Sequence, residues 1–201
     1  MPAKGDHDAR RRDVSEAVWR VVATAGFTGL TMRAVAAELG ASTGLVTHYF
    51  PSKALLVRHA LDLAAERTDE RPLRTPEAPG LAALRAAVLD VAPVDGDAVA
   101  MNRVWVSSWD LALADAGFGA AQAARYTRWR AKLARHVADA QERGEIGAGD
   151  PADLAARVAA FTHGLVTQAL FDPEAFGAAR QERLVDGFLD SLRAGAPARD
   201  S

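Results

Sequence analysis

The sequence predicts an all-α protein, and three observations carry that expectation. Apolar residues recur at helical spacing through nearly the whole chain. No segment alternates apolar and polar residues between two turn signals, as a half-buried strand would. The interruptions are short clusters of Gly, Pro, Ser and Asp that suit helix caps and turns.

A first helix is expected from about Asp8 to Ala25, because Val14, Ala17, Val18, Val21 and Val22 share one face. Gly26 suits its left-handed cap. Thr31 is the expected N-cap of a second helix that ends at Leu39, and Gly40 supplies the φ > 0 residue of a tight turn. Ser42 or Thr43 caps a third helix. Pro51-Ser52-Lys53 breaks the chain, with Ser52 capping a long fourth helix from Lys53 to about Glu70. The Pro-rich stretch 71–79 reads as a loop, followed by a short apolar helix over 80–92 and a break at Pro93 and Gly96. Further helices are expected at 97–115, 118–143, 151–171 and 174–194.

With 201 residues, 49% of them hydrophobic, the chain can bury a sizeable core in one or two domains. The lack of cysteine excludes a disulfide framework, a thiolate zinc site and thiol redox sensing. No apolar run approaches the roughly 18 residues of a spanning helix, which predicts a cytoplasmic protein with no membrane partner. The net charge of −2 is unevenly spread: residues 1–60 carry 8 Lys/Arg against 5 Asp/Glu, residues 61–201 carry 16 against 21. A small positive module can track phosphates while the acidic remainder stays off a polyanion.

Residues 31–50 have the layout of a helix-turn-helix. Two short helices that cross closely need a small residue on the first, a permissive turn and a branched apolar residue on the second. Ala36, Gly40 and Val46 meet those needs, with Leu30, Val35, Leu39, Leu45 and Phe50 as further apolar contacts. Thr43, Gly44, Thr47 and His48 remain outward on the third helix and are candidate readers of base edges or phosphates. Tyr49 and Lys53 follow where they can hold a phosphate, and Thr31, Arg33 and the cap at Ser42 complete the candidate DNA contacts. Arg10, Arg11 and Arg12 suit either a grip on flanking DNA or a solvated helix start. The expected organisation is a flexible arm over 1–9, a helix-turn-helix DNA-binding domain over 10–56, and a C-terminal helical domain over 57–201.

Leu30-Thr31-Met32-Arg33-Ala34-Val35-Ala36, together with Ser42-Thr43-Gly44-Leu45-Val46-Thr47-His48-Tyr49-Phe50-Pro51-Ser52-Lys53, resembles the N-terminal domain of the TetR family of transcriptional regulators. Residues 42–50 are similar to its betaine/choline-responsive, BetI-type branch. So are Arg103-Val104-Trp105-Val106-Ser107-Ser108-Trp109, Tyr126-Thr127-Arg128-Trp129-Arg130 and, more loosely, His163-Gly164-Leu165. The resemblance implies an all-helical homodimer, commonly a repressor, whose operator affinity falls when a small molecule binds the C-terminal domain. It implies base contacts from Thr43, Gly44 and His48, and phosphate contacts from Thr31, Tyr49 and Lys53. The chain departs from the branch at His163 and Val166, where the pattern has an acidic residue and a tryptophan, which sets choline as effector in doubt.

In the C-terminal part, Trp105 and Trp109 are four residues apart on one expected helix and so share a face. With Trp129 they either line a pocket or simply form core. Asn102, Asp110, His163 and Gln168 are candidate polar groups to orient a ligand, and Asp110 beside aromatic faces would suit a quaternary ammonium or polyamine. Leu154, Val158, Phe161 and Leu165, with Leu184, Val185, Phe188 and Leu192, form two apolar faces expected at a two-fold dimer interface. A pseudo-palindromic duplex with half-sites roughly 34–36 Å apart would follow. An enzyme is not expected: His7, His48, His59, His136 and His163 show no His-Glu-x-x-His spacing, and no phosphate loop or nucleophile elbow occurs. Neither catalytic nor metal-binding residues are assigned, and no cofactor is expected beyond an unidentified small-molecule effector. The competing readings are a helical enzyme and an effector-independent DNA-binding protein.

Overall fold

A computed structural model describes residues 4–193, with side chains from residue 9 onward. Among the described residues there is no strand. The helices are α1 (Lys4–Gly29), α2 (Met32–Glu38), α3 (Thr43–Tyr49), α4 (Lys53–Glu70), α5 (Leu81–Leu89), α6 (Gly96–Ser107), α7 (Trp109–Ala114), α8 (Ala116–Glu142), α9 (Pro151–Phe171) and α10 (Ala178–Arg193). The described residues fall into two compact units, one within 1–71 together with 103–110, the other within 72–102 together with 111–201.

In the first unit, the expected face of α1 is the buried one: Val14, Ala17, Val18, Val21 and Val22 are all inside. Gly26 (φ 64°) interrupts the helix after Ala25. α1 starts at Lys4, so residues 4–9 extend the helix rather than form an arm. Propagating a helix by a turn is cheap once its packed face holds the nucleus. Residues 1–3 of the expected arm, and the last eight of the expected C-terminal domain, lie outside the described residues. Leu30, Val35, Ala36 and Val46 seal the angle between α2 and α3, while Leu39 and Leu45 are only half-buried. Leu56, Val57, Ala60 and Ala64 pack α4 into the same core. Arg67 of α4 pairs with Glu16 and lies 4.5 Å over the Trp19 ring, both on α1.

The second unit is built on α8 and α9, with α5 and α10 closing the core. Leu84, Val88, Leu133, Val137, Val158 and Val185 are fully buried there. Gln181 is buried too, its amide nitrogen donating to the carbonyls of Pro93 (3.1 Å) and Phe176 (2.7 Å).

Three further expectations are corrected. The single helix over 97–115 is two helices, α6 and α7. At the break, the Ser108 hydroxyl donates to the Trp105 carbonyl (2.7 Å) and the Ser107 hydroxyl to that of Val104 (3.0 Å). Such side chain to backbone bonds compete with the helix ladder. Trp105 and Trp109 therefore lie on successive helices. α10 starts at Ala178 rather than 174, because Asp172 turns the chain by accepting from the Ala175 N–H (3.1 Å). Of the two apolar faces expected at a dimer interface, Val158, Leu165, Val185 and Leu192 are consumed by the unit's own core. Leu154, Phe161 and Phe188 are half-buried and Leu184 is exposed.

Candidate nucleic-acid interface

The two short helices hold their position through caps that sequence dictates locally. Thr31 Oγ1 accepts the Ala34 N–H (3.0 Å) and Ser42 Oγ accepts that of Leu45 (3.4 Å). Each bond satisfies an orphan donor of the first turn and leaves the hydroxyl proton to point elsewhere. Both side chains are exposed, so the capping groups can also donate to an anion. Ser52 caps α4 in the same way, through the Leu55 N–H (3.2 Å).

One face of α3 is buried through Val46, and its other face carries the exposed residues Thr43, Gly44, Thr47 and His48. The Thr47 hydroxyl donates to the Thr43 carbonyl (2.9 Å), which leaves its oxygen as an acceptor outward. A Cβ on Gly44 would meet only Ser42 Oγ at 3.6 Å, an ordinary contact. Nothing inside the fold requires glycine at that position, whereas close approach of a partner would. Arg33 and Lys53 are exposed as well, and among the described residues neither pairs with an acid. Thr31, Arg33, Ser42, Thr43, Gly44, Thr47, His48 and Lys53 thus all stand on the surface of the first unit, with Tyr49 half-buried beside them.

Sequence reasoning left out a cleft next to this face. About 220 Å³ in volume, it is lined by Arg11, Val14 and Ser15 of α1, His48 and Tyr49 of α3, Phe50, and His59 of α4. Ser15 Oγ and His59 Nε2 are 2.9 Å apart, and the His59 ring lies 4.9 Å from that of Phe50. Burial lowers the His59 pKa and the Arg11 guanidinium lowers it further, against Asp62 and Glu66. Residues 44 positions apart meet here, so no local pattern could have found the pair.

The expected effector residues are divided between the units: Trp105, Trp109 and Asp110 belong to the first, Asn102, Trp129, His163 and Gln168 to the second. Trp105 Nε1 donates to Thr68 Oγ1 (3.0 Å), Trp109 is half-buried and Asp110 is exposed. Asn102 is buried, with its amide nitrogen donating to the carbonyls of Val91 (2.8 Å) and Ala98 (2.9 Å). Those bonds occupy both of its N–H groups and make it a packing residue that ties the middle of α6 to Val91. Gln168 is exposed. His163 is the one that gathers an aromatic cluster, its ring 4.7 Å from Tyr126 and 5.3 Å from Trp129. Burial lowers its pKa, and Arg125 and Arg130 lower it further.

Comparison with known proteins places both parts of the chain. Residues 16–60 match the pattern of bacterial regulatory proteins of the tetR family, and residues 80–194 that of the BetI-type transcriptional repressor C-terminal domain. The HTH-type transcriptional regulator BetI of Paraburkholderia phymatum is 27% identical over 96% of this chain and 98% of its own. BetI of Burkholderia ambifaria is 32% identical over 149 residues, 71% of this chain and 75% of its own. The regulator PksA of Bacillus subtilis is 38% identical, but over 71 residues that span about a third (35%) of each chain. Among solved structures, a transcriptional regulator from Saccharomonospora viridis in complex with choline shares the fold, with a TM-score of 0.77 at 23% identity over 91% of this chain and 96% of its own. With its capped helix pair, its outward α3 face and these matches along its length, the chain belongs to the TetR family of DNA-binding transcriptional regulators, with a BetI-type C-terminal domain.

Proposed function

We propose that the protein binds a pseudo-palindromic operator as a homodimer and represses transcription in the cytoplasm until a small-molecule effector lowers its affinity for DNA. The observation that carries this reading is the α3 face. Thr43, Gly44, Thr47 and His48 are exposed over a buried Val46, and the glycine among them has no role inside the fold. Thr43, Gly44, Thr47 and His48 read base edges, while Thr31, Arg33, Ser42, Tyr49 and Lys53 hold phosphates. Residues 10–56 serve DNA binding, and residues 57–201 serve effector binding and dimerisation. Names of relatives support a regulator over an enzyme.

For the effector, Trp129, His163 and Gln168 of the second unit are the proposed contacts. The Saccharomonospora regulator was solved with choline. Among the described residues, Arg125 and Arg130 are the charges that lower the His163 pKa, and they disfavour a quaternary ammonium beside that ring. A neutral or anionic effector with an apolar body fits better. Calorimetry that found choline binding more tightly than any carboxylate of similar size would reverse this preference. For pairing, Leu154, Phe161, Leu184 and Phe188 remain after the core has taken its share. Sedimentation at micromolar concentration tests it, a stable monomer being the outcome that removes the homodimer.

Selection of bound duplexes from a random pool, at near-physiological salt, tests the whole reading. Recovery of a pseudo-palindrome is expected, and recovery of no motif would leave only non-specific binding. Lys53→Ala should weaken binding about equally across sequences and lower the slope of log affinity against log salt by about 1.

A further inference from the structure

The cleft beside α3 has a lining of one chemical character. Among the described residues its polar groups are the Arg11 guanidinium, the His48 and His59 imidazoles, the Tyr49 phenol and the Ser15 hydroxyl, with no carboxylate among them. Every one of them can donate a hydrogen bond. Donors converging with a guanidinium suit an oxyanion and repel a cation. The volume of about 220 Å³ is several times the ~30 Å³ that one water occupies, enough for a tetrahedral anion with its hydration reduced. The cleft also shares His48 with the exposed face of α3, so a duplex lying against that face would carry its backbone past the cleft mouth.

We propose that this cleft seats a phosphate oxyanion of the DNA backbone, with Arg11 as its countercharge and His48, Tyr49 and His59 as donors around it. The proposal rests on the DNA-contact reading above and adds Arg11, Ser15 and His59 to it. It carries a consequence for pH. A phosphate beside His59 favours the charged imidazole, against the burial and the Arg11 charge that lower its pKa in the free protein. Among the described residues, the groups facing His59 are Arg11 and Ser15 from α1, His48 and Tyr49 from α3, and Asp62 and Glu66 on its own helix. Seating the phosphate therefore takes up a proton, and duplex affinity rises as pH falls through the imidazole range.

The test measures duplex affinity of the full chain against salt and pH, and follows the assigned His59 ring signals by NMR. Arg11 is exposed, so Arg11→Ala should keep the fold, bind roughly fivefold more weakly, and lower the salt slope by about 1. His59→Gln should flatten the pH dependence. If that variant does not fold, the wild-type His59 signals serve instead, and should move to the charged position at neutral pH when duplex is added. Inorganic phosphate is the second probe. Movement with duplex alone assigns the seat to the backbone, and movement with inorganic phosphate too makes it a general phosphate site. An unchanged salt slope in Arg11→Ala with unmoved His59 signals, while the wild type still binds duplex, would overturn the proposal and leave the DNA-contact reading standing. No duplex binding by the wild type under any condition would overturn both.

Discussion

Gly40 and Gly44 stand four residues apart and are glycine for opposite reasons. Gly40 has φ +61° with nothing within 4 Å of an added Cβ, so an alanine there meets only backbone strain. Gly40→Ala should cost about 1–2 kcal/mol, read as a lower urea midpoint, with duplex affinity falling only as far as the turn loosens. Gly44 lies inside α3 with room for a Cβ. Gly44→Ala should leave stability unchanged or raise it by up to about 1 kcal/mol, yet weaken duplex binding, because the methyl occupies the space the partner needs. Equal losses of stability in the two variants would contradict this division. Both glycines could be picked out from local spacing, as could the caps at Thr31 and Ser52. The Ser15–His59 bond could not, since it depends on α4 returning across α1.

At the scale of elements, α5 owes its start to a residue far along the chain. Its N-cap is Gly80, which has no side chain to accept from the first turn. Glu145 Oε2 takes the Leu81 N–H instead (2.7 Å), across 64 residues. Burial would raise the Glu145 pKa, but the Leu81 N–H and the Arg143 guanidinium outweigh it and hold it below the usual carboxylate range. A Cβ on Gly80 (φ +80°) would lie 2.4 Å from that oxygen, so Gly80→Ala must displace the carboxylate as well as strain the backbone. Glu145→Gln should cost about 1 kcal/mol and Gly80→Ala at least about 2, measured by urea unfolding. The reverse order would mean that the carboxylate is not the cap. Element boundaries were legible where chemistry is local. α9 runs over 151–171 as expected, because the Asp150 side chain accepts from Ala152 and Pro151 takes the first helical position. The division of 97–115 into α6 and α7 was not legible although its bonds are local, because helical spacing does not show whether a serine hydroxyl faces solvent or the carbonyl three residues back.

For the whole molecule, acid should destabilise in two stages. His59, His136 and His163 have pKa values lowered by burial, so below their unfolded value near 6.5 the unfolded chain binds more protons and stability falls with pH. Asp186 is lowered by its hydrogen bonds from Arg85, and Glu145 as described. Their contributions are complete above the unfolded values of 3.8 and 4.5 and are lost as pH falls below them. The Arg85–Asp186 pair is nearly half exposed, so its share is at most about 1 kcal/mol. Urea unfolding from pH 8 to 3 should show both stages, with His163→Gln reducing the first; a flat profile between pH 7 and 5 would count against it. Duplex affinity should move the opposite way over the first stage, because there the anion rewards the proton that burial resists. The sequence by itself determined the all-helical class, the capped helix pair and its outward residues, and the family. These follow from periodicity and caps, which act within a few residues. Only the tertiary structure decided that Val158, Leu165, Val185 and Leu192 belong inside, that Asn102 is spent on carbonyls, that Glu145 caps α5, and that α1, α3 and α4 enclose a donor-lined cleft. Each depends on which distant face a helix meets, and helical spacing marks a face as apolar without naming its partner.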